Sequence, residues 1–375
     1  MNTSQSALGR KKRSRFSDSL KEIERRIRQA ARPLRDHISN IRYSRGDDRF
    51  LVLRHPAALP SYYEKFLEWT HSNHPELRRR FELRLITESI GDWSRYSLVI
   101  PWLPETFLYR NSVARSQAAQ LVAGARENGL PVINPPEKLL AISKHDASQQ
   151  LIAAGVNAAK TVRITDPAEF HLKTCGLNLP ILIREDLAHG GWSPVFKVHS
   201  QDELNQVPID QMEMPIAVEF IDTRSKADGL FRKYRYMAMG DIGISHTLQI
   251  SEHWEVRSGV RKLTPSTVAE ELDYCDHFDP NHKIFQAARR ALGLDFLAFD
   301  YSYDHHGKMV VWEINVLPGL GLPDKSDRAH LIRPIERAMA ATLKLYLERS
   351  GQTVPPELES QIEIPPDRRI NPVAA

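Results

Sequence analysis

Two stretches carry the residues best suited to chemistry. Leu294–Tyr303 reads LDFLAFDYSY, and Val310–Pro323 reads VVWEINVLPGLGLP. Asp300, Glu313 and Asn315 sit in otherwise apolar, β-like runs. The polar tetrad DHHG between the runs is a hairpin signal. A four-residue loop sets Tyr303 opposite Lys308, Asp300 opposite Val311 and Ala298 opposite Glu313. Side chains alternate faces along a strand. Asp300, Glu313 and Asn315 therefore share one face. Leu297, Phe299, Tyr301, Val310, Trp312 and Ile314 share the other, apolar one. Two carboxylates this close repel, and one would hold its proton. A hard divalent cation removes the repulsion, and Mg²⁺ takes such oxygen ligands while keeping waters and substrate phosphates. Spacing alone equally allows two solvated carboxylates on an exposed face, with Asn315 opening the turn.

Other chemistries lack their residues. Cys175 and Cys275 form no CxxC pair, and no Cys/His zinc spacing, GxSxG elbow or GxxxxGK[ST] loop occurs. No apolar run reaches the roughly 18 residues of a membrane span, and the first residues lack a signal-type apolar stretch. The expected compartment is the cytoplasm.

The elements that must position the hairpin alternate strand and helix. Strands are expected at Phe50–His55, Phe81–Ile86, Tyr96–Trp102 and Leu130–Asn134, with helices at Ser61–Ser72 and Asn111–Asn128. That alternation predicts a parallel sheet. A strand-rich section from Thr161 to about Gly259 has the β-branched and aromatic content of antiparallel sheet. Helices are expected near Asn281–Leu292 and around Ile335, Met339, Leu343 and Leu347. Charge is uneven: residues 1–49 hold 14 Lys/Arg against 6 Asp/Glu, within a chain of net charge +4. There Leu20, Ile23, Ile27, Leu34, Ile38 and Ile41 recur at helical spacing, with Pro33 expected to kink or split the helix. This basic arm suits RNA, acidic lipid or an acidic protein, or docks on the body or on a second copy with its basic face in solvent.

The order of these parts resembles the ATP-grasp superfamily. Asp300, a hairpin, then Glu313, Asn315, Pro318 and Gly319 (E-x-N-x-x-P-G) look like its metal-binding end. PVINPP with SKHDASQQLIAAGV resembles the entry to that domain. PILIRE with HGGWSPVFKV resembles the strand and small-residue loop over the phosphates, and AVEFID the adenine hinge. The resemblance spans roughly Phe50–Ser350. It implies an α/β (α+β) ATP-grasp fold with an N-terminal parallel α/β domain and a basic helical arm. The expected divisions are the arm at 1–49, the preceding α/β domain at 50–140, the small subdomain at 141–215, the central subdomain at 216–350, and a disordered Pro-rich tail at 351–375.

The resemblance also implies roles. Lys144 would bind nucleotide. Arg184 stands where many members have a second lysine. It keeps the charge with different geometry. Gly190 and Gly191 would let backbone approach phosphate. Glu219, Phe220 and Ile221 would offer backbone groups to adenine, and Asp222 or Thr223 would meet the ribose. Asp300, Glu313 and Asn315 would hold one or two Mg²⁺ ions, or Mn²⁺. Carboxylate–amine ligases of the superfamily pass through an acyl phosphate, which needs further cations, and Arg235 and Arg261 are the candidates. The implied activity is ATP- and Mg²⁺-dependent ligation of a small-molecule or peptide substrate. A phosphotransferase acting on a hydroxyl and a non-catalytic ATP-binding module, the latter favoured by Arg184, are the alternatives. A homodimer through the arm is a further expectation.

Overall fold

The computed structural model describes residues 26–27, 29–58, 62–187, 193–322 and 326–364. Helix α1 (residues 29–43) runs through Pro33 without a break, where a kink or split was expected. Pro33 removes only its own backbone donor, and the docked contacts that follow hold the helix. Those contacts come from the polar side. Asp36 Oδ1 lies 2.7 Å from Arg54 Nη1, Arg32 donates to Ala58 O at 2.5 Å, and Ser44 donates to Phe81 O at 2.6 Å. The Asn40 amide donates to Leu83 O and accepts from Leu83 N. The surface beneath is the open edge of a sheet, whose unpaired backbone groups need polar partners. The arm thus docks in the opposite sense to the expected one, polar side inward.

That sheet is parallel, in the order β2-β1-β3, from β1 (Arg49–Arg54), β2 (Phe81–Leu85) and β3 (Tyr96–Pro101). Helices α2 (Tyr62–Asn73) and α3 (Pro75–Arg78) make the first crossover, and α4 (Glu105–Arg110), α5 (Ser112–Glu127) and α6 (Pro136–Leu139) follow β3. Asn111 caps α5 by accepting from Ala114 N. The strand expected at Leu130–Asn134 shrinks to one parallel bridge, Val99 to Val132. Asn134 instead turns left-handed, at φ 43°, and its amide grips Asp295 and Phe296 at the start of a later strand.

Helix α7 (Lys144–Ala153), capped by Ser143, leads into a small antiparallel sheet. Its strands are β4 (Thr161–Arg163), β5 (Ile181–Glu185), β6 (Phe196–Val198) and β7 (Pro215–Glu219), in the order β4-β7-β5-β6, with helix α8 (Gln201–Leu204) between β6 and β7. Ile181, Ile183 and Ala217 bury one face, and Leu182, Ile216 and Val218 the other, the alternation a pleated strand imposes.

The central sheet, order β11-β10-β8-β9, is antiparallel throughout: β8 (Phe231–Met239), β9 (Ile242–Ser251), β10 (Phe296–Tyr303) and β11 (Met309–Asn315). Between β9 and β10 lie α9 (Pro265–Cys275) and α10 (His282–Leu292). Sequence reasoning missed α9, although Thr264-Pro265 is a start signal: Thr264 caps it and Pro265 takes the first helical position. The outer edge of β11 is covered by residues 157–159. Val311 N donates to Asn157 O at 2.9 Å, Ala159 N donates to Val311 O at 3.3 Å, and the segment continues into β4. The small sheet therefore hangs from the edge of the central one.

Helix α11 (Ile332–Arg349) closes the core: Tyr346 meets Phe50, Phe66 and Phe81 of the first domain edge-on. The disordered tail expected from residue 351 is corrected up to residue 364. Helix α12 (Pro356–Ile362) lies on α11, with Leu358 fully buried and Lys344 2.7 Å from Glu359. One short turn of apolar residues shows no periodicity, so its partner α11 decides its order. Residues 365–375 lie outside the described residues. Leu358→Ala is expected to lower stability by about 2 kcal/mol, the low end for a core leucine because a terminal helix can settle. Chemical denaturation checks this, and an unchanged midpoint would mean α12 is not part of the core.

Candidate active site

The hairpin places its polar face as expected, by a different route. The loop holds five residues, Asp304–Lys308, so Tyr303 pairs with Met309 rather than Lys308. By itself that shift turns Glu313 to the wrong face. A bulge at Trp312 then inserts one residue into β11, so Asp300 pairs with Glu313 and Ala298 with Asn315. Asp300, Glu313 and Asn315 share a face because the two shifts cancel. Val311 is corrected to the apolar side, opposite Tyr301. Trp312 is corrected as well: it leaves the core face and joins the cluster lining the small sheet.

A row of charge crosses the sheet at this level, Glu313–Asp300–Arg235. Arg235 grips Asp300 with two bonds, Nε to Oδ1 at 2.6 Å and Nη2 to Oδ2 at 2.8 Å, and Lys233 Nζ lies 3.7 Å away. Burial pushes the Asp300 carboxyl up, but Arg235 and Lys233 outweigh it and hold it below the usual carboxylate range. A second bulge sits beside this row. Arg235 pairs with Thr247 and Tyr236 with Ser245, which leaves His246 extra on β9. His246 is 5% exposed, and neither ring nitrogen has a hydrogen-bond partner among the described residues. Burial first, then the Arg235 charge, pushes its pKa down to about 3, so it is neutral. Sequence reasoning missed His246 because a bulge leaves no mark on alternation.

Lys144, at the first turn of α7, reaches across to β11. Its Nζ is 3.2 Å from Glu313 Oε1, close enough for an ion pair but without hydrogen-bond geometry, and its side chain is 7% exposed. Burial lowers the proton affinity of this ammonium, Glu313 opposes that, and the nearby Arg184 charge adds to the lowering. Lys144, Arg184 and Glu313 thus lie near one another, with Glu105 also close enough to act on Lys144. An ammonium and a guanidinium side by side are groups a polyphosphate can meet.

Beside them is an apolar cluster. Leu182, Ile216, Val218 and Ala159 form its buried part, and the half-buried Val195, Phe220, Ile221, Trp254 and Trp312 pack against it. Phe220 and Trp254 meet edge-on at 5.8 Å, and Lys197 Nζ sits 3.5 Å from the Phe220 ring centroid. Half-buried aromatic and aliphatic side chains of this kind can pack on a planar base. The N–H groups of Glu219 and Phe220 donate to Lys160 O and Pro180 O, so neither can donate to a base. This removes the donor half of the expected role for these two residues and leaves their carbonyls and Ile221. The Glu219 carboxylate accepts from Asn178, and exposed Asp222 accepts from Arg224 N. Trp254 and Trp312 were not foreseen as members of this cluster. Gly190 and Gly191 lie outside the described residues.

Arg261 is engaged elsewhere. It pairs with Glu271 of α9, which also accepts from Leu248 N and lies 2.8 Å from His330 Nε2. Both partners are nearly sealed, at 5% and 1% side-chain exposure. The open cation expected at this position is corrected to a clamp between α9 and β9, because Glu271, on the unforeseen helix, claims it.

No family model and no curated protein matches the sequence. Solved structures do match. An L-amino acid ligase from Bacillus licheniformis superposes with a TM-score of 0.50 at 13% identity, over 86% of this chain and 78% of that one. The D-cycloserine synthetase DcsG gives 0.50 at 15% identity, over 80% and 99%. The ATP-grasp ligase PsnB with its minimal precursor gives 0.49 at 11%, over 81% and 100%. The chain has the ATP-grasp fold. Within it, Lys144 is close to Glu313 and Arg184, Asp300 pairs with Glu313 and Arg235 across the strands, and Arg261 stands apart in its pair with Glu271.

The donors on this ATP-grasp fold can be tested against the metal such a fold implies. Among the described residues no three His, Cys, Asp or Glu side chains gather. The set is two carboxylates and an amide, the hard oxygen donors Mg²⁺ prefers. The Asn315 amide would meet a cation through its Oδ1, since its Nδ2, buried without a hydrogen-bond partner, is a donor. Glu313 has the right donor type but would share its charge with the Lys144 ammonium 3.2 Å from its Oε1. Asp300 fits a metal cation only when Arg235 moves off it. No helix among the described residues is long and apolar enough to cross a membrane.

Proposed function

We propose that the chain is an ATP- and Mg²⁺-dependent ligase that activates a carboxylate as an acyl phosphate. The observation that carries this is the buried Lys144 ammonium beside Glu313 and Arg184, next to an apolar cluster edged by Trp254 and Trp312. Lys144 and Arg184 would hold the phosphates, and Ile221, Trp254 and Trp312 the base. Glu313, Asn315 and, once freed, Asp300 would hold Mg²⁺. That ion supplies charge neutralisation between phosphate oxygens, the main demand of phosphoryl transfer. A substrate carboxylate oxygen takes the γ-phosphoryl group and ADP leaves. An amine then attacks the acyl carbon, phosphate leaves, and the proton of the amine goes to solvent. Arg235, released from Asp300, would steady the acyl phosphate; Arg261, in its pair with Glu271, would brace α9 against β9.

The bidentate clamp of Arg235 on Asp300 favours a second reading, a module that binds ATP without turning it over. Transfer to a hydroxyl on the same scaffold is a third. One experiment separates them: a metabolite pool incubated with Mg·ATP and read by mass spectrometry. Ligation predicts ADP, phosphate and a condensed product together. A phosphorylated product without free phosphate assigns a phosphotransferase, and ATP binding with no ADP assigns the non-catalytic module.

A further inference from the structure

Helix α1 is inverted relative to an ordinary docked amphipathic helix. Its polar side is spent on the body: Asn40 binds the β2 edge at Leu83, and Arg32 and Asp36, 4% and 5% exposed, meet Ala58 O and Arg54 at the end of the central strand β1. Its aliphatic side faces outward. Leu34, Ile38 and Ile41 stand at i, i+4 and i+7 with exposures of 62%, 53% and 61%, and Ile27, one heptad earlier, at 62%. The exposed residues beside this stripe are Arg26, Arg35, His37, Arg42 and Arg45. Between residues 26 and 45 the single acid is Asp36, which is buried and paired with Arg54. In sequence the same spacing continues back to Ile23 and Leu20, preceded by the basic run Arg10, Lys11, Lys12, Arg13 and Arg15.

We infer that this face of α1 is a docking surface for an anionic lipid bilayer. An aliphatic stripe flanked by arginines is what an interfacial helix presents: the stripe enters the headgroup–acyl boundary while the guanidinium groups stay at the phosphates. A polybasic run next to it adds attraction to an acidic leaflet. The charge pattern argues against a second copy, since pairing two such faces sets arginine against arginine. The described stripe also falls well short of the roughly 20–30 residues a side of a stable protein interface. Nucleic acid would use the arginines but has no use for four aliphatic side chains, and among the described residues no exposed Phe, Tyr or Trp stands beside the stripe for base stacking. The body, rather than the helix alone, would be carried to the membrane, because the polar side of α1 is already bonded to β2 and to Arg54. This holds whether or not the candidate site is a ligase site.

The full chain should co-sediment with vesicles of phosphatidylcholine plus phosphatidylglycerol about tenfold more strongly than with phosphatidylcholine alone, and less strongly at high salt. The double variant Leu34→Glu with Ile38→Glu changes only exposed positions and should lose about tenfold in vesicle binding. Its thermal unfolding and Mg·ATP affinity, measured alongside, should match the parent chain. Equal binding to both vesicle types, binding to neither, or full binding by the variant would overturn the inference. So would a dimer seen by ultracentrifugation that the variant dissociates while vesicles stay unbound, which assigns the stripe to a second copy. Oligonucleotide binding without vesicle binding would likewise overturn it and assign the arginines to nucleic acid.

Discussion

Glu313→Gln is expected to weaken ATP binding in the presence of Mg²⁺ by about 10–100-fold, and to leave binding without metal unchanged or tighter. The two directions come from one carboxylate with two duties. Glu313 shares the face of Asp300 and Asn315, where it would offer oxygen to a cation. It also holds the Lys144 ammonium at 3.2 Å. The neutral amide is a poor Mg²⁺ ligand, so the metal-dependent part of the affinity falls. The same change frees Lys144 for phosphate, which offsets the loss when no metal is present. Isothermal titration with and without Mg²⁺ reads both arms. An unchanged Mg²⁺ dependence would remove Glu313 from the metal site.

Asp300→Asn is expected to cost about 3–5 kcal/mol of stability, the range for breaking a buried ion pair by removing one partner. Asp300 is 4% exposed and is the counter-charge for both Arg235 and Lys233. The asparagine takes the Asp300 charge and one of its two acceptor oxygens away from Arg235. The double variant Asp300→Asn with Arg235→Met should recover much of the loss, because the uncompensated cation is gone. Denaturant midpoints for the cycle check this. Additive losses would show that the two residues are not coupled, and the row would then be a set of independent surface charges.

Side-chain chemistry and local period were legible from residues alone. The apolar β10 run, the pair Glu313 and Asn315, Lys144 at a helix start and the end of β7 all lie in short segments whose local pattern survives any packing. What went unread involved partners on other elements. Arg261 looked like an open cation because Glu271 sits on a helix whose only clear signal was Thr264-Pro265. Leu358 and Ile362 looked like tail because one turn of apolar residues means nothing without α11 to receive it. The arm looked like a helix that would bury its aliphatic side, since propensity cannot know that the surface on offer is an unpaired strand edge.

By itself the sequence determined which side chains could serve a nucleotide and a metal, and in what order they come along the chain. Only the tertiary structure decided how they meet. A five-residue loop moves the β10–β11 register by one, and the bulge at Trp312 moves it back, so that Glu313 rather than its neighbour faces Asp300. Neither shift is visible in a period of two, because each alone inverts every side chain beyond it. They are settled by backbone pairing, where Asn157 and Ala159 bind the outer edge of Val311 and hold the bulged strand in place.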